Sequence, residues 1–209
     1  VVGSAFVVLQ NYFKEPEGRE QHLIMLIIGA LLVGCKICGT QRTIPDIVRV
    51  IVGMCMHSNF PILKSLVQSI EFETDGSIAQ ETIDRVSSTE LDLFMANDFT
   101  DHVILPFHYY EYYRISIVEN IPPEQIQAVS VNIVRAICLL LSSSEYLNFG
   151  PEVAAFVATV EYLSDDCLDK DAAVWAQSVR EKYGEGALRL AKDSLHAEQQ
   201  MTLPSRCSR

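Results

Sequence analysis

From Leu23 to Val33 the chain reads Leu-Ile-Met-Leu-Ile-Ile-Gly-Ala-Leu-Leu-Val without a polar side chain, and the first cation after it is Lys36. A helix that is apolar on every face has to be surrounded by protein or lipid. The run is shorter than the roughly 18 residues that argue a membrane span, so it predicts the buried central helix of a helical domain. Lys36 then stands where that helix reaches the surface. A cation in a last turn complements the negative end of the helix dipole by about 0.3 to 1 kcal/mol, which is the bland account of its position.

Helical spacing recurs on both sides of this run. Phe6, Leu9 and Phe13 fall at three-to-four spacing in a helix over 4–13, ended by Lys14-Glu15-Pro16-Glu17-Gly18. Cys38-Gly39-Thr40 reads as a loop, and Pro45-Asp46 opens a helix with Ile47, Val48, Ile51 and Val52 on one side. Residues 60–70 predict a short helix, and 71–77, holding Asp75-Gly76, an exposed acidic loop. An amphipathic helix over 80–95 carries Ile83, Val86, Glu90, Leu91 and Phe94, and Pro106 starts an aromatic helix, 107–113. Pro122-Pro123 marks a join.

A second half of similar make-up follows. Residues 124–141 are apolar-periodic, and Gly150-Pro151-Glu152 opens a helix of small residues, Ala154, Ala155 and Ala158. Small side chains let helix axes approach closely. Helices over 171–183 and 187–200 are separated by Gly184-Glu185-Gly186, and 204–209 read as a structureless tail. Strand signals are nearly absent. The expected fold is all-α, with units over 1–116 and 117–203.

Composition narrows the function. The 209 residues, 49% hydrophobic and 21% charged, suit a well-filled core, and a net charge of -11 argues against a nucleic-acid surface, which needs clustered Lys and Arg. Cys35, Cys38, Cys55, Cys138, Cys167 and Cys207 are scattered, several within apolar helical patterns, and are expected to be reduced thiols. The start at Val1 suggests a fragment. Cys35-Lys36-Ile37-Cys38 fits C-x-x-C, but no βαβ pattern surrounds it and no second pair completes a zinc site. Five histidines show no metal spacing, and there is no Gly-rich phosphate loop. No cofactor, metal, small-molecule substrate, nucleic acid or membrane is expected as a partner.

The order of these elements resembles the cyclin family. Ala5-Phe6-Val7-Val8-Leu9, a loop, and the apolar helix ending at Lys36 look like the helix succession of a first cyclin box, and Pro45-Asp46-Ile47-Val48 like its next helix start. Glu90, Phe99, Pro106 and Phe107-His108-Tyr109-Tyr110 match the signature that follows, while Pro151 to Ala158 and Trp175-Ala176-Gln177-Ser178 resemble elements of the second box. The resemblance spans about residues 4–200. It implies tandem five-helix cyclin boxes, without the first helix of box one and the last of box two.

The chain also departs from the family. Gln10 stands where an acidic residue is usual, Ile37-Cys38-Gly39 replace acidic residues after the lysine, and 54–77 read as an insertion. Ser178 to Tyr183 offers a second, less economical alignment of box two. What the resemblance implies is a non-catalytic subunit that binds and activates a cyclin-dependent Ser/Thr kinase, in the nucleus or cytoplasm. Lys36 and Glu90 would grip the kinase, with Met25, Ile37, Phe94 and Phe99 as apolar contacts. The alternative is a cyclin-fold scaffold of the transcription factor IIB kind, without kinase activation, which the acidic charge disfavours.

Overall fold

The computed structural model describes residues 1–14, 22–100, 103–118, 121–163 and 170–202. The expected loop after Lys14, the thiols Cys167 and Cys207 and the tail 204–209 lie outside the described residues. Within them the protein is all-α. No strand forms among the described residues; one isolated antiparallel bridge joins Phe72 to Ile78.

The chain divides into two compact units, Val1–Val103 and Ile104–Arg209. The first holds α1 (Val2–Lys14), α2 (Leu23–Ile37), α3 (Ile44–His57), α4 (Pro61–Leu66), a single 3-10 turn (Val67–Ser69) and α5 (Gln80–Ala96). Here α2 is the axis. Ile24, Met25, Ile28 and Leu32 pack with Ile47 and Val48 of α3 and with Val67, Ile70, Ile78 and Val86. On another side, Leu26, Ala30 and Val33 pack with Ala5, Val8 and Tyr12 of α1 and Leu93 of α5. Glycines in α2 allow this crowding: a Cβ on Gly29 would stand 3.1 Å from Leu93, and one on Gly34 only 2.7 Å from the Val1 carbonyl.

Local signals set the ends of these helices. Gly39, at φ 64, closes α2 in a Schellman motif: Thr40 N–H donates to the Cys35 carbonyl at 2.8 Å and Gly39 N–H to that of Lys36 at 3.0 Å. Thr43 and Asp46 form a capping box at the start of α3, each side chain accepting the other's backbone N–H at 3.3 Å.

Two helices turn differently from their sequence pattern. In α1 the Phe6–Leu9–Phe13 stripe is only partly covered, Phe6 and Phe13 being exposed and Leu9 half-buried, while Ser4, Ala5, Val8 and Tyr12 face α2. The small Ser4 and Ala5 admit the close crossing at Gly34, which a phenylalanine would hold apart. In α5 the buried face is Thr82, Val86, Thr89 and Leu93, and Leu91 is exposed. Each buried threonine hydroxyl bonds to backbone, Thr89 to the Arg85 carbonyl at 2.9 Å, so neither is a costly orphan.

The segment 54–77 is partly core. Cys55, Val67 and Ile70 are buried against α2, whereas 71–77 are exposed, as the acidic composition of that loop suggests.

The second unit holds α6 (Pro106–Val118), α7 (Pro123–Ser142), α8 (Tyr146–Tyr162) and α9 (Lys170–Thr202). The division falls after Val103 and not at 116, because the aromatic helix α6 packs on α8 and α9: Tyr110 is buried, and Tyr113 stacks on Trp175 with ring centroids 4.4 Å apart. Ala154, Ala155 and Ala158 of α8 are fully buried. Gly150 (φ 78) breaks α8 just before Pro151, and Gly184 (φ 70) breaks α9 where the glycine pair predicts it. By length and hydropathy α7 alone among the described helices suffices to cross a membrane. It is two-faced, however: Ile133, Ala136, Ile137 and Leu140 are buried, and Gln127 and Arg135 are exposed.

One polar residue ties α5 to α1. The Asn97 amide, buried just past the end of α5, donates to the Val8 carbonyl at 3.2 Å and the Leu93 carbonyl at 2.8 Å and accepts from Asn11 at 2.8 Å. Asn97→Ala is expected to cost unit 1 about 1 to 3 kcal/mol, since buried carbonyls lose their donor. Asn11→Ala, at a half-exposed partner, should cost less than about 1.5 kcal/mol, within the range of a single neutral hydrogen bond. Urea denaturation of both variants measures the difference.

Candidate functional site

Lys36 sits in the last turn of α2 and Glu90 in the middle of α5, and the packing of these two helices brings their side chains together. Lys36 Nζ lies 2.8 Å from Glu90 Oε1, the lysine side chain 59% exposed and the glutamate 14%. That Oε1 is sealed from solvent, and the ammonium is the charge that faces it. The ammonium also stands 5.6 Å from the centroid of the Phe94 ring, one turn along α5. An exposed pair alone is worth about 0 to 1 kcal/mol; shielding on the carboxylate side and the aromatic floor make this one stiffer than a pair in free solvent.

The other expected contact residues separate into three kinds. Phe94 and Ile37 are half-buried beside the pair and pack into the α1–α2–α5 core, each leaving an edge at the surface. Phe99 is 64% exposed, and both it and Asp98 adopt left-handed backbone, φ 53 and 52. For a phenylalanine that conformation costs on the order of 1 to 2 kcal/mol. It is held by the Phe99 N–H donating to the Phe94 carbonyl at 2.9 Å, so the exposed ring is tied to the residue beneath Lys36. Met25 does not belong with them. It is 1% exposed, packed in the core, and stands about 16 Å along the helix axis from Lys36, given 1.5 Å per residue.

The C-x-x-C pair has the wrong setting for redox chemistry. Cys35 is buried, and Cys38 caps the C-terminus of α2, the end whose dipole disfavours a thiolate. A hydrogen bond with Ser4, 3.5 Å away, nonetheless draws the Cys38 thiol below its ordinary value. Among the described residues no three His, Cys, Asp or Glu side chains gather where they could hold a metal ion.

A second charged constellation went unread in the sequence. In unit 2, Glu152 at the start of the alanine-rich part of α8 accepts from Lys182 Nζ at 2.7 Å and from the Tyr183 hydroxyl at 2.8 Å, both on α9 just before the Gly184 break. Trp175 stacks on Tyr113 and meets Phe156 edge-on, and Arg180 lies 5.3 Å from the Phe156 centroid. The only sequence signal was Glu152 directly after Gly-Pro, since its partners lie some thirty residues away. Its environment is that of a structural clasp: the hydrogen bonds join two helices and leave the carboxylate 12% exposed.

The chain matches no family model and no curated protein sequence.

The clasp makes a pH prediction. Burial pushes the Glu152 carboxyl up, but the Lys182 and Tyr183 hydrogen bonds outweigh it, and the group ends below the usual carboxylate range. A carboxyl whose folded value is depressed stabilises the fold above its unfolded value, near 4.3, and that share is lost as pH falls through the folded value. Unit 2 should therefore melt progressively lower as pH drops below about 4.3, while Glu152→Gln should cost about 1 to 2 kcal/mol at neutral pH and flatten that acid limb. Thermal melts of both proteins between neutral and strongly acidic pH measure it.

Proposed function

We propose that this chain is a regulatory subunit of the cyclin type, its two helical units being tandem cyclin boxes, and that it binds and activates a cyclin-dependent Ser/Thr kinase. The observation that carries the reading is the Lys36–Glu90 pair: a cation at the end of a buried helix, held 2.8 Å from a shielded carboxylate. A kinase of this class is active when its regulatory helix is held so that the helix glutamate pairs with the ATP-binding lysine. A rigid partner that binds that arrangement more tightly than the inactive one shifts the equilibrium toward it.

Rigidity is what unit 1 supplies. Lys36 is anchored by the Schellman turn behind it and by a helix packed in the core, and Glu90 by the close approach of α5 to Gly29. The lysine donates to backbone carbonyls of the kinase and the glutamate accepts from its amides, with Phe94, Ile37 and Phe99 covering apolar surface around them. The chain contributes no catalytic group; it acts by selecting a conformation.

Lys36→Ala and Glu90→Ala should each weaken kinase binding by about 2 to 4 kcal/mol, because truncating one member of a desolvated charged pair leaves the other unpaired. The double variant should lose well under the sum, since the two side chains act as one unit. Melting temperatures should change little. Binding and phosphorylation assays across cyclin-dependent kinases, with circular dichroism melts of each variant, measure these effects; full activation by both folded single variants would overturn the proposal.

A further inference from the structure

Among the described residues, one stripe of α2 is left partly uncovered. Leu23 is 48% exposed, and Ile27 and Leu31, one and two turns further along the same stripe, are only half-buried. Leu31 forms the floor of an open groove of about 740 Å³ shared with Ile47, Val50 and Ile51 of α3, and Val50 is 60% exposed. On the rim stand Arg42, just before α3, and Arg49, one turn into it. Both are exposed, and among the described residues neither makes an ion pair; the Asp46 carboxylate lines the same groove and feels both guanidiniums through space. In a chain of net charge -11, an apolar floor whose rim carries two guanidiniums against one carboxylate is a local inversion of the surface charge.

We infer that this groove is a docking site for an acidic amphipathic helix of a partner protein, whose apolar side chains cover Leu31, Ile47 and Val50 and whose carboxylates engage Arg42 and Arg49. Charge selects the occupant. A basic or neutral helix would bury the same apolar area but give neither guanidinium a hydrogen-bonded carboxylate, whereas an acidic one can take each in a two-pronged hydrogen bond. Shape agrees with a helix: the floor is made by one turn each of α2 and α3, and a third helix laid across two others packs its side chains into their grooves at 8 to 10 Å separation, as general helix packing requires. The apolar anchors would then fall at i, i+3 or i+4, and i+7.

The groove adjoins the Lys36 end of α2 but uses none of the residues assigned to the kinase, so it stands or falls separately. The probe is a phage-displayed library of random peptides about 16 residues long, enough for four helical turns, selected on the folded chain. The expected result is enrichment of sequences with Leu, Ile or Phe at helical spacing interleaved with Asp and Glu. The synthesised winner should gain helical circular dichroism on binding. Its affinity should fall at least about tenfold in the Arg42→Glu/Arg49→Glu variant, fall with added salt, and fall far less in Arg49→Lys, which keeps the charge but loses the two-pronged bond. Circular dichroism melts check that each variant is folded. No enrichment, enrichment of neutral or basic peptides, binding indifferent to the double variant, or a chain that sediments as a dimer with these arginines protected in its interface would each overturn the proposal.

Discussion

Unit 1 depends on one constraint: α2 has no polar face, so it is stable only when other helices cover it. Eleven consecutive apolar residues, Leu23 to Val33, commit it to the centre, and every neighbour is placed by the need to reach it. The entropic cost of ordering the surrounding chain is met by burying that surface, at roughly 25 cal/mol per Å² of apolar area. Gly29 and Gly34 are the local adaptation, because a helix crowded by both α1 and α5 needs positions without a side chain where the backbones meet. The same constraint explains why α1 turns its alanine and serine inward and its phenylalanines outward: close approach is worth more here than the bulk of two rings.

The proposed site is a by-product of this arrangement. A helix locked along its length has little freedom at its end, and Gly39 stops it one turn beyond the core, so that Lys36 emerges at a fixed height and azimuth. α5 approaches from the side of Gly29 and brings Glu90 to the same point. Nothing in the pair itself is strong; its precision comes from the packing behind it. Asn97, Asp98 and Phe99 extend that logic, since a buried amide bonded to α1 fixes the end of α5 and a left-handed turn then throws Phe99 into solvent.

Much of the secondary structure was legible in the chain. The apolar run, Pro45-Asp46 after Thr43, the Gly150-Pro151 break and the Gly184 break all encode their meaning locally, within one turn of helix. Facing was less legible, because which side of α1 or α5 is buried depends on a partner helix far away in sequence. Phe6 and Phe13 carry the stronger hydrophobic signal, yet steric fit against α2 decides for Ala5 and Val8. The end of the first unit is illegible for the same reason: nothing local assigns the aromatic helix α6 to either unit until Trp175, some sixty residues on, is seen stacked on Tyr113. At the site, the Lys36–Glu90 pairing was anticipated through family resemblance, and neither periodicity nor spacing points to it. Met25 was misplaced because its apolar character suits core and contact surface alike. Glu152, Lys182 and Tyr183 were invisible, since ordinary charged residues on two helices reveal nothing until the helices meet.

The central claim is that Lys36 is carried by the most stable element of unit 1, so that a partner meets a fixed surface and not one of several conformers. Native-state hydrogen exchange along a denaturant series tests it most directly. Amides from Met25 to Cys35 should exchange only through full unfolding of unit 1, with the free energy and denaturant slope of the global transition. Exchange of the 30–35 amides at markedly lower free energy and near-zero slope, by local opening of the end that bears Lys36, would contradict the account.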